Sequence, residues 1–369
     1  MGLIRLILVI SIFVVHIRNY EGDFLLGATL AVHLFFLISG FFISFVLTEK
    51  YKSIKGRVKT FYLTRFLRIL PLYWLILFLT LLTIIFFRNY FLSEPQSYFG
   101  NILAQFHSIS AFPAPAVLYF FLINLTPVFQ DTVFYLKIHS LSNNLILSGN
   151  ALIFVPKVAG FLLVPVAWIL ALEIYFYLLA PWLLKLKIKP LLVFIILLML
   201  LRIDFILNGL YYDPWNYRFF PLELNIFLLG ILSYKMSGKI LRFSPNKLID
   251  MVLYITVLIV IINYYSLPQL FIGNFPLIHW IIILLLGSVL PFIFRLFKYN
   301  KLDIFLSNFS YILFLSHFLI IDTFRSLYPV SPNHFELIVT VSIILFSLIL
   351  YIFFLIPLEK FRSKFNIAK

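Results

Sequence analysis

The feature that most constrains this chain is a series of apolar runs, each long enough to cross a bilayer. The runs lie at residues 3–19, 27–48, 69–88, 160–184, 190–207, 219–236, 248–266, 276–297, 303–324 and 335–357. A helix needs about 20 mainly apolar residues to span the hydrocarbon core. With 63% hydrophobic and 12% charged residues, a soluble protein of this size could not bury its apolar surface. The sequence therefore predicts an all-α polytopic membrane protein with about ten transmembrane helices.

Positive charge between the runs predicts the orientation of the chain. Lysine and arginine cluster at residues 50–68, 185–189, 235–247, 295–301 and 360–369. Such clusters mark cytoplasmic loops, so both termini are expected to be cytoplasmic. The net charge of +15 is distributed in this way, which argues against a nucleic-acid surface. Because the chain has no cysteine, it can form neither a disulfide nor a thiolate metal site.

Residues 89–158 do not fit this simple count of crossings. They contain another apolar stretch, 116–129, bounded by Pro113, Pro115 and Pro127. A full crossing there would place residues 185–189 outside, against the charge rule. We therefore expect an extended outer region with a short re-entrant or interfacial element shielded by protein.

Arg5 and His16 share one face of the first run. Eleven steps of about 100° bring the two side chains within about 20° of each other and roughly 16 Å apart along the axis. An ionisable group inside hydrocarbon costs roughly 2.5–3.5 kcal/mol, so such groups usually face protein or water. Taken alone, Arg5 is explained as a snorkelling anchor and His16 as a packing histidine. Together, the two residues favour a polar track through the membrane.

Arg65, Arg68 and Glu173 are further candidates for a functional site. The two arginines are neighbours on one helix surface and could clamp phosphates, although positive-inside anchoring also explains them. Glu173 lies near mid-membrane among apolar and aromatic residues, so it must pair, protonate or face water. A structural ion pair and a role in orienting His16 both remain open.

On the predicted outer side, His33, Trp215 and His317 are possible acceptor-side residues. For His33 and Trp215, an interfacial histidine and an aromatic belt are the simpler explanations. In the same run as His33, Ser39 and Gly40 predict a close approach of another helix. No metal-binding motif is present, so we expect no metal.

Several elements, in order along nearly the whole chain, resemble the acyltransferase-3 family of integral membrane O-acyltransferases. They are the Arg5–His16 pair, F-F-x-x-S-G-F at 35–41, R-x-x-R-I-x-P-x-Y-W at 65–74, the tryptophan-to-proline element at 168–181 containing Glu173, F-L-L-G at 227–230, the Ser-Tyr-to-His element at 310–317 and the acidic motif at 358–360. The chain departs from the family pattern at His33, where an acidic or small residue is usual, and at Phe314, where a tyrosine is common.

The resemblance implies a single transmembrane acyltransferase domain, residues 1–369, in a bacterial cytoplasmic membrane. Its donor would be an acyl-CoA, usually acetyl-CoA, and its acceptor a hydroxyl of a cell-surface glycan or glycolipid, with membrane lipid as the surrounding partner. His16 would act as general base or carry the acyl group. Arg5 would position the donor and stabilise developing negative charge, Glu173 would orient His16, and Arg65 and Arg68 would bind the phosphates of CoA.

Two other functions fit parts of the pattern. A transporter or flippase for a lipid-linked saccharide could use Arg5, His16 and Glu173 as a substrate or proton path, but the sequence shows no inverted repeat. A glycan polymerase should carry a large outer loop with catalytic arginines. The outer region has only Lys137 and Lys157, with Arg88 at its edge, which disfavours a polymerase.

Overall fold

The computed structural model describes residues 1–20, 24–52, 56–93, 97–241, 246–272, 274–328 and 334–366, which are mostly helical. The helices are α1 (Gly2–Arg18), α2 (Gly27–Phe45), α3 (Arg57–Phe86), α4 (Arg88–Ser93), α5 (Tyr98–His107), α6 (Ala114–Leu125), α7 (Trp168–Leu183), α8 (Ile188–Leu207), α9 (Phe220–Ile240), α10 (Lys247–Ile262), α11 (Leu277–Phe297), α12 (Lys301–Leu327), α13 (Phe335–Leu350) and α14 (Ile356–Asn366). Two antiparallel hairpins pair β1 (Leu136–Ile138) with β2 (Leu145–Leu147), and β3 (Phe271–Ile272) with β4 (Phe275–Pro276). Of the predicted cytoplasmic charges, Lys55, Arg242 and Lys369 lie outside the described residues.

Each of the ten predicted runs contains a long helix. Within the described ranges, seven helical segments are long and apolar enough to cross a membrane: Gly27–Lys50, Arg57–Phe86, Pro165–Leu183, Ile188–Leu207, Leu277–Phe297, Lys301–Leu327 and Phe335–Lys364. Helices α1, α9 and α10 occupy the other three runs. The all-α polytopic class is therefore confirmed, while the count of ten crossings and the cytoplasmic termini stay predictions.

The chain forms two compact units, which are described separately. Unit 1 contains Met1–Arg65, Tyr175–Tyr311 and Ser363–Lys369, and unit 2 contains Phe66–Ile174 and Ile312–Arg362. The divisions fall inside helices α3, α7, α12 and α14.

Helices α2 and α9 form the closest packing in unit 1. A Cβ atom at Gly40 would collide with the backbone of Phe227, and one at Gly230 would collide with the backbone of Leu37. The ring of Phe227 also stacks on Phe36, with 4.6 Å between ring centroids. Two small residues thus let the helix backbones approach, as expected for Gly40. The F-F-x-x-S-G-F and F-L-L-G elements meet at this contact.

In unit 2, helix α6 ends beside the middle of α3. Its last four carbonyls all accept hydrogen bonds from protein groups, so the end of the helix does not depend on water for them. The donors are the Thr126 amide to Leu122 (3.2 Å), the Gln130 side chain to Ile123 (2.8 Å), the Tyr73 hydroxyl to Asn124 (2.7 Å) and the Trp74 indole to Leu125 (2.9 Å). Trp74 lies twelve residues before the end of α3, roughly 18 Å along its axis. The re-entrant or interfacial character of this element stays a prediction.

Helix α5 is held in unit 2 by a carboxylate from another helix. Asp322 of α12 accepts hydrogen bonds from the backbone amides of Tyr98 (3.0 Å) and Phe99 (2.7 Å) in the first turn of α5. The Tyr98 hydroxyl donates to the carbonyl of Leu162 at 2.7 Å. These bonds connect the segment before α7 to α5 and α12.

Candidate functional site

The first turn of α1 is fixed by one face of α12. The amide of Gly2 donates to Asp303 Oδ1 at 2.6 Å, and Arg5 Nη1 donates to Ser307 Oγ at 2.7 Å. Asp303 and Ser307 are four residues apart and therefore neighbours on the helix surface. A Cβ atom at Gly2 would collide with the Asp303 carbonyl, so a small residue is needed for this approach. The contact sets the position of the Arg5 backbone.

Arg5 and Arg65 lie against the same aromatic ring. Their guanidinium carbons are 5.4 Å and 5.9 Å from the ring centroid of Phe42, so they are at most about 11 Å apart. Arg65 also lies over the rings of Phe61 (5.6 Å) and Tyr177 (5.9 Å). Both arginines are buried, with 9% and 8% of their surface exposed. We call Arg5, Phe42 and Arg65 the arginine cluster.

The arginine cluster can bind an anion. An aromatic face attracts a guanidinium. Two like charges at this separation repel, and the repulsion is stronger in a low-dielectric interior than in water. An anion bound between Arg5 and Arg65 lowers that repulsion, and guanidinium groups match the geometry of phosphate and carboxylate oxygens.

His16 lies on the same uninterrupted helix as Arg5. The predicted spacing therefore holds: the two residues share a face of α1 and lie roughly 16 Å apart along its axis. His16 is half-buried. Because α2 runs back along α1 and Phe42 meets Arg5, His16 is roughly level with Ala31 on α2.

His33 lies on a different face of α2. It is nine residues from Phe42, about half a turn around the helix. Its Nε2 is 3.2 Å from Glu223 Oε2 of α9, whose other oxygen accepts a 2.8 Å hydrogen bond from Arg202 Nη2 of α8. Arg202 also donates to the Leu222 carbonyl (2.8 Å) and the Asn216 side chain (2.6 Å). We call Arg202, Glu223 and His33 the ion network.

The ion network was not predicted from the sequence. Arg202 and Glu223 are at most 1% exposed and lie in two adjacent apolar runs. Ionisable residues of opposite charge in neighbouring membrane segments are expected to pair, and that rule would have identified them. The structure thus places His33 in a buried contact with the carboxylate of Glu223, between α2 and α9.

The remaining candidates are distributed over both units. Arg68 and Glu173 are half-buried in unit 2, on α3 and α7. His317 is fully buried in unit 2, with Nδ1 3.2 Å from the Leu313 carbonyl one turn earlier on α12. Trp215 lies in unit 1, in the turn between α8 and α9, and packs edge-to-face against Phe205 and Phe219. Of the predicted site residues, Arg5 and Arg65 are therefore brought together around one ring in unit 1.

Among the residues that the structure describes, no three histidine, cysteine, aspartate or glutamate side chains are grouped so that they could hold a metal ion. The side chains of the arginine cluster and His16 fit a different chemistry. Guanidinium groups bind anionic or polarised oxygen atoms, and an imidazole transfers protons or carries an acyl group.

Comparison with known proteins identifies the family. No curated protein and no solved structure gives a significant match. The family model described as an acyltransferase domain matches residues 1–352, which include the arginine cluster, His16 and the ion network. A match over nearly the whole chain, together with the spanning helices, shows that this chain belongs to the acyltransferase-3 family of membrane acyltransferases.

Proposed function

We propose that this protein transfers an acetyl group from acetyl-CoA to a hydroxyl group of a cell-surface or lipid-linked glycan, in a bacterial cytoplasmic membrane. Family membership supports acyl transfer. The observation that carries the choice of donor is the arginine cluster, in which two buried guanidinium groups lie against the ring of Phe42. Coenzyme A supplies the phosphate oxygens that such groups bind.

Arg5 and Arg65 lie towards the starts of α1 and α3, on the side predicted to be cytoplasmic, where acetyl-CoA is available. Arg65 and the half-buried Arg68 bind the phosphates of CoA in this proposal. The pantetheine arm follows the face of α1 from Arg5 towards His16. Since Arg5 is roughly 16 Å from His16 along the axis, Arg5 positions the donor and is too distant to contact an acyl oxygen beside His16.

His16 is the proposed catalytic residue. It accepts the proton of the acceptor hydroxyl as the hydroxyl oxygen bonds to the thioester carbonyl carbon. The carbon–sulfur bond then breaks, and the proton passes from His16 to the CoA sulfur. A two-step route, in which His16 first carries the acyl group, leads to the same products. Glu173 is the proposed carboxylate that orients His16, and His317 is a proposed acceptor-side residue, both on the family resemblance. Trp215 is proposed on the acceptor side because aromatic faces stack on sugars.

The test is CoA release by the purified protein in nanodiscs, followed with a thiol reagent. The chain contains no cysteine, so every thiol detected belongs to released CoA. We expect release that depends on an added glycan acceptor and falls roughly 100-fold or more in His16→Ala, because general acid–base catalysis contributes about 10²–10⁴-fold. His107→Ala, which removes an exposed histidine at the end of α5, is the matched control.

Two outcomes would contradict the proposal. A His16→Ala variant that transfers acetyl groups at the wild-type rate would remove His16 from the mechanism. Intact protein that neither binds nor turns over any acyl-CoA would exclude this donor and favour transport of a lipid-linked saccharide.

A further inference from the structure

Helix α6 exposes a stripe of large apolar side chains. Leu118, Phe121, Leu122 and Leu125 follow the spacing of one helix face, and Phe121 is 62% exposed. The opposite face, which includes Phe120 and Asn124, is buried; Phe120 stacks on Phe161 at 3.9 Å, and the Asn124 side chain donates to the Phe161 carbonyl. The helix is therefore fixed to unit 2 by one side and leaves the other side uncovered within that unit.

The stripe on α6 adjoins the exposed face of a membrane-spanning helix. Trp74 of α3, whose indole donates to Leu125 at the end of α6, is itself exposed. Phe78, Leu81 and Ile85 continue the same exposed face of α3 towards its end. Because α3 is a candidate span, this exposed apolar face is suited to contact lipid, and the α6 stripe continues it.

The hairpin of β1 and β2, with the segment that follows it, carries a second set of exposed apolar residues. In the hairpin, Leu147 is 82% exposed and Leu141 is also exposed; after it, Val155 is 87% exposed and Ile153 is also exposed. Lys137 of β1 places its ammonium nitrogen 4.2 Å from the ring centroid of Phe154. A lysine lying along apolar side chains is typical of a membrane interface, where its charge reaches the phosphate groups. Strand edges need water or polar groups, which excludes the acyl-chain layer for this hairpin.

We propose that this part of unit 2 is a lipid-contact surface, with the α6 stripe among the acyl chains and the hairpin at the level of the lipid headgroups. The partner is the bilayer itself, because the stripe continues the lipid-facing side of α3. Exposed apolar patches of this kind mark contact with another apolar phase. The proposal does not depend on the acyl donor or acceptor.

The absence of cysteine makes single-cysteine labelling clean. The test uses Leu118→Cys and Leu122→Cys on α6, Leu147→Cys on β2, and Ser110→Cys as an exposed polar control before α6. Each variant carries an environment-sensitive fluorophore and is reconstituted in phosphatidylcholine–phosphatidylglycerol nanodiscs. Nitroxide quenchers are placed on the acyl chain or on the headgroup, and iodide serves as the aqueous quencher.

We expect the two α6 labels to lose about half or more of their fluorescence with the acyl-chain nitroxide, because both then lie in the roughly 30 Å hydrocarbon core. The Leu147 label should respond most to the headgroup nitroxide, and the Ser110 label to iodide. A label at residues 118, 122 or 147 that behaves like the Ser110 label, in a variant with the wild-type melting temperature, overturns the proposal.

Discussion

Among the described residues of unit 1, arginine side chains are buried in the ion network and in the arginine cluster, and the contacts of the two sites differ. In the ion network, Arg202 donates to the carboxylate of Glu223 at 2.8 Å and to the side chain of Asn216 at 2.6 Å. In the arginine cluster, Arg5 and Arg65 share the ring of Phe42, and Arg5 donates to the Ser307 hydroxyl. One site pairs its arginine with a carboxylate of the protein, and in the other two arginines share one aromatic ring.

This difference indicates a structural role for the ion network and a binding role for the arginine cluster. The buried Arg202 is hydrogen-bonded to a carboxylate and to carbonyls, so it is compensated within the fold, and it ties α8 to α9. Two arginines brought together around one ring raise the local positive potential, which favours a bound anion. The comparison therefore predicts that changes in the ion network affect stability, whereas changes in the arginine cluster affect the use of acetyl-CoA.

The largest expected effect is on folding, in Glu223→Ala. The substitution leaves Arg202 buried without its carboxylate, and breaking a buried pair costs about 3–5 kcal/mol. Thermal unfolding of the detergent-solubilised protein would measure the loss. The control is Glu49→Ala, which removes the exposed partner of Lys298 at 3.0 Å and should cost about 1 kcal/mol or less. Equal stabilities for the two variants would show that the ion network does not hold the helices.

The sequence predicts local features of this fold well. The apolar runs correspond to helices, and the close helix approach at Gly40 is seen. Arg5 and His16 lie on one helix, as their spacing requires. Each of these features depends on residue type or on short-range helical spacing, which can be read directly from the chain.

Contacts between residues that are far apart in the sequence could not be predicted from the sequence in the same way. Helical periodicity does not show that Arg5 and Arg65 meet at the ring of Phe42, because this depends on how α1, α2 and α3 pack. The pairing of Arg202 with Glu223 could have been inferred from opposite charges in adjacent spans, but its partner His33 could not.

The next prediction gives the arginine cluster a carboxylate like the one in the ion network. Ser307→Asp gives Arg5 a carboxylate partner like that of Arg202, so the fold should be retained. Acetyl-CoA turnover should fall about 10–100-fold, because a charge-assisted contact to the donor is worth roughly 1.5–3 kcal/mol. Ser307→Asn introduces a side chain of the same size as aspartate but keeps the hydrogen-bond acceptor neutral, so turnover should change only about threefold. Equal turnover in the two variants would show that the charge of Arg5 is not used.

The smallest expected effects separate the two arginines of the R-x-x-R element. Arg65→Gln should raise the KM for acetyl-CoA about tenfold with little change in kcat, because Arg65 is buried among aromatic rings where charges interact strongly. Arg68→Gln should raise it about threefold, since Arg68 is half-buried and its charge is screened by solvent. Steady-state kinetics at two salt concentrations checks the reason: the Arg68 contribution should fade at high salt, and that of Arg65 should persist. If Arg68→Gln had the larger effect at both salt concentrations, the phosphates would bind outside the arginine cluster, and Arg65 would belong with Arg202 as a structural residue.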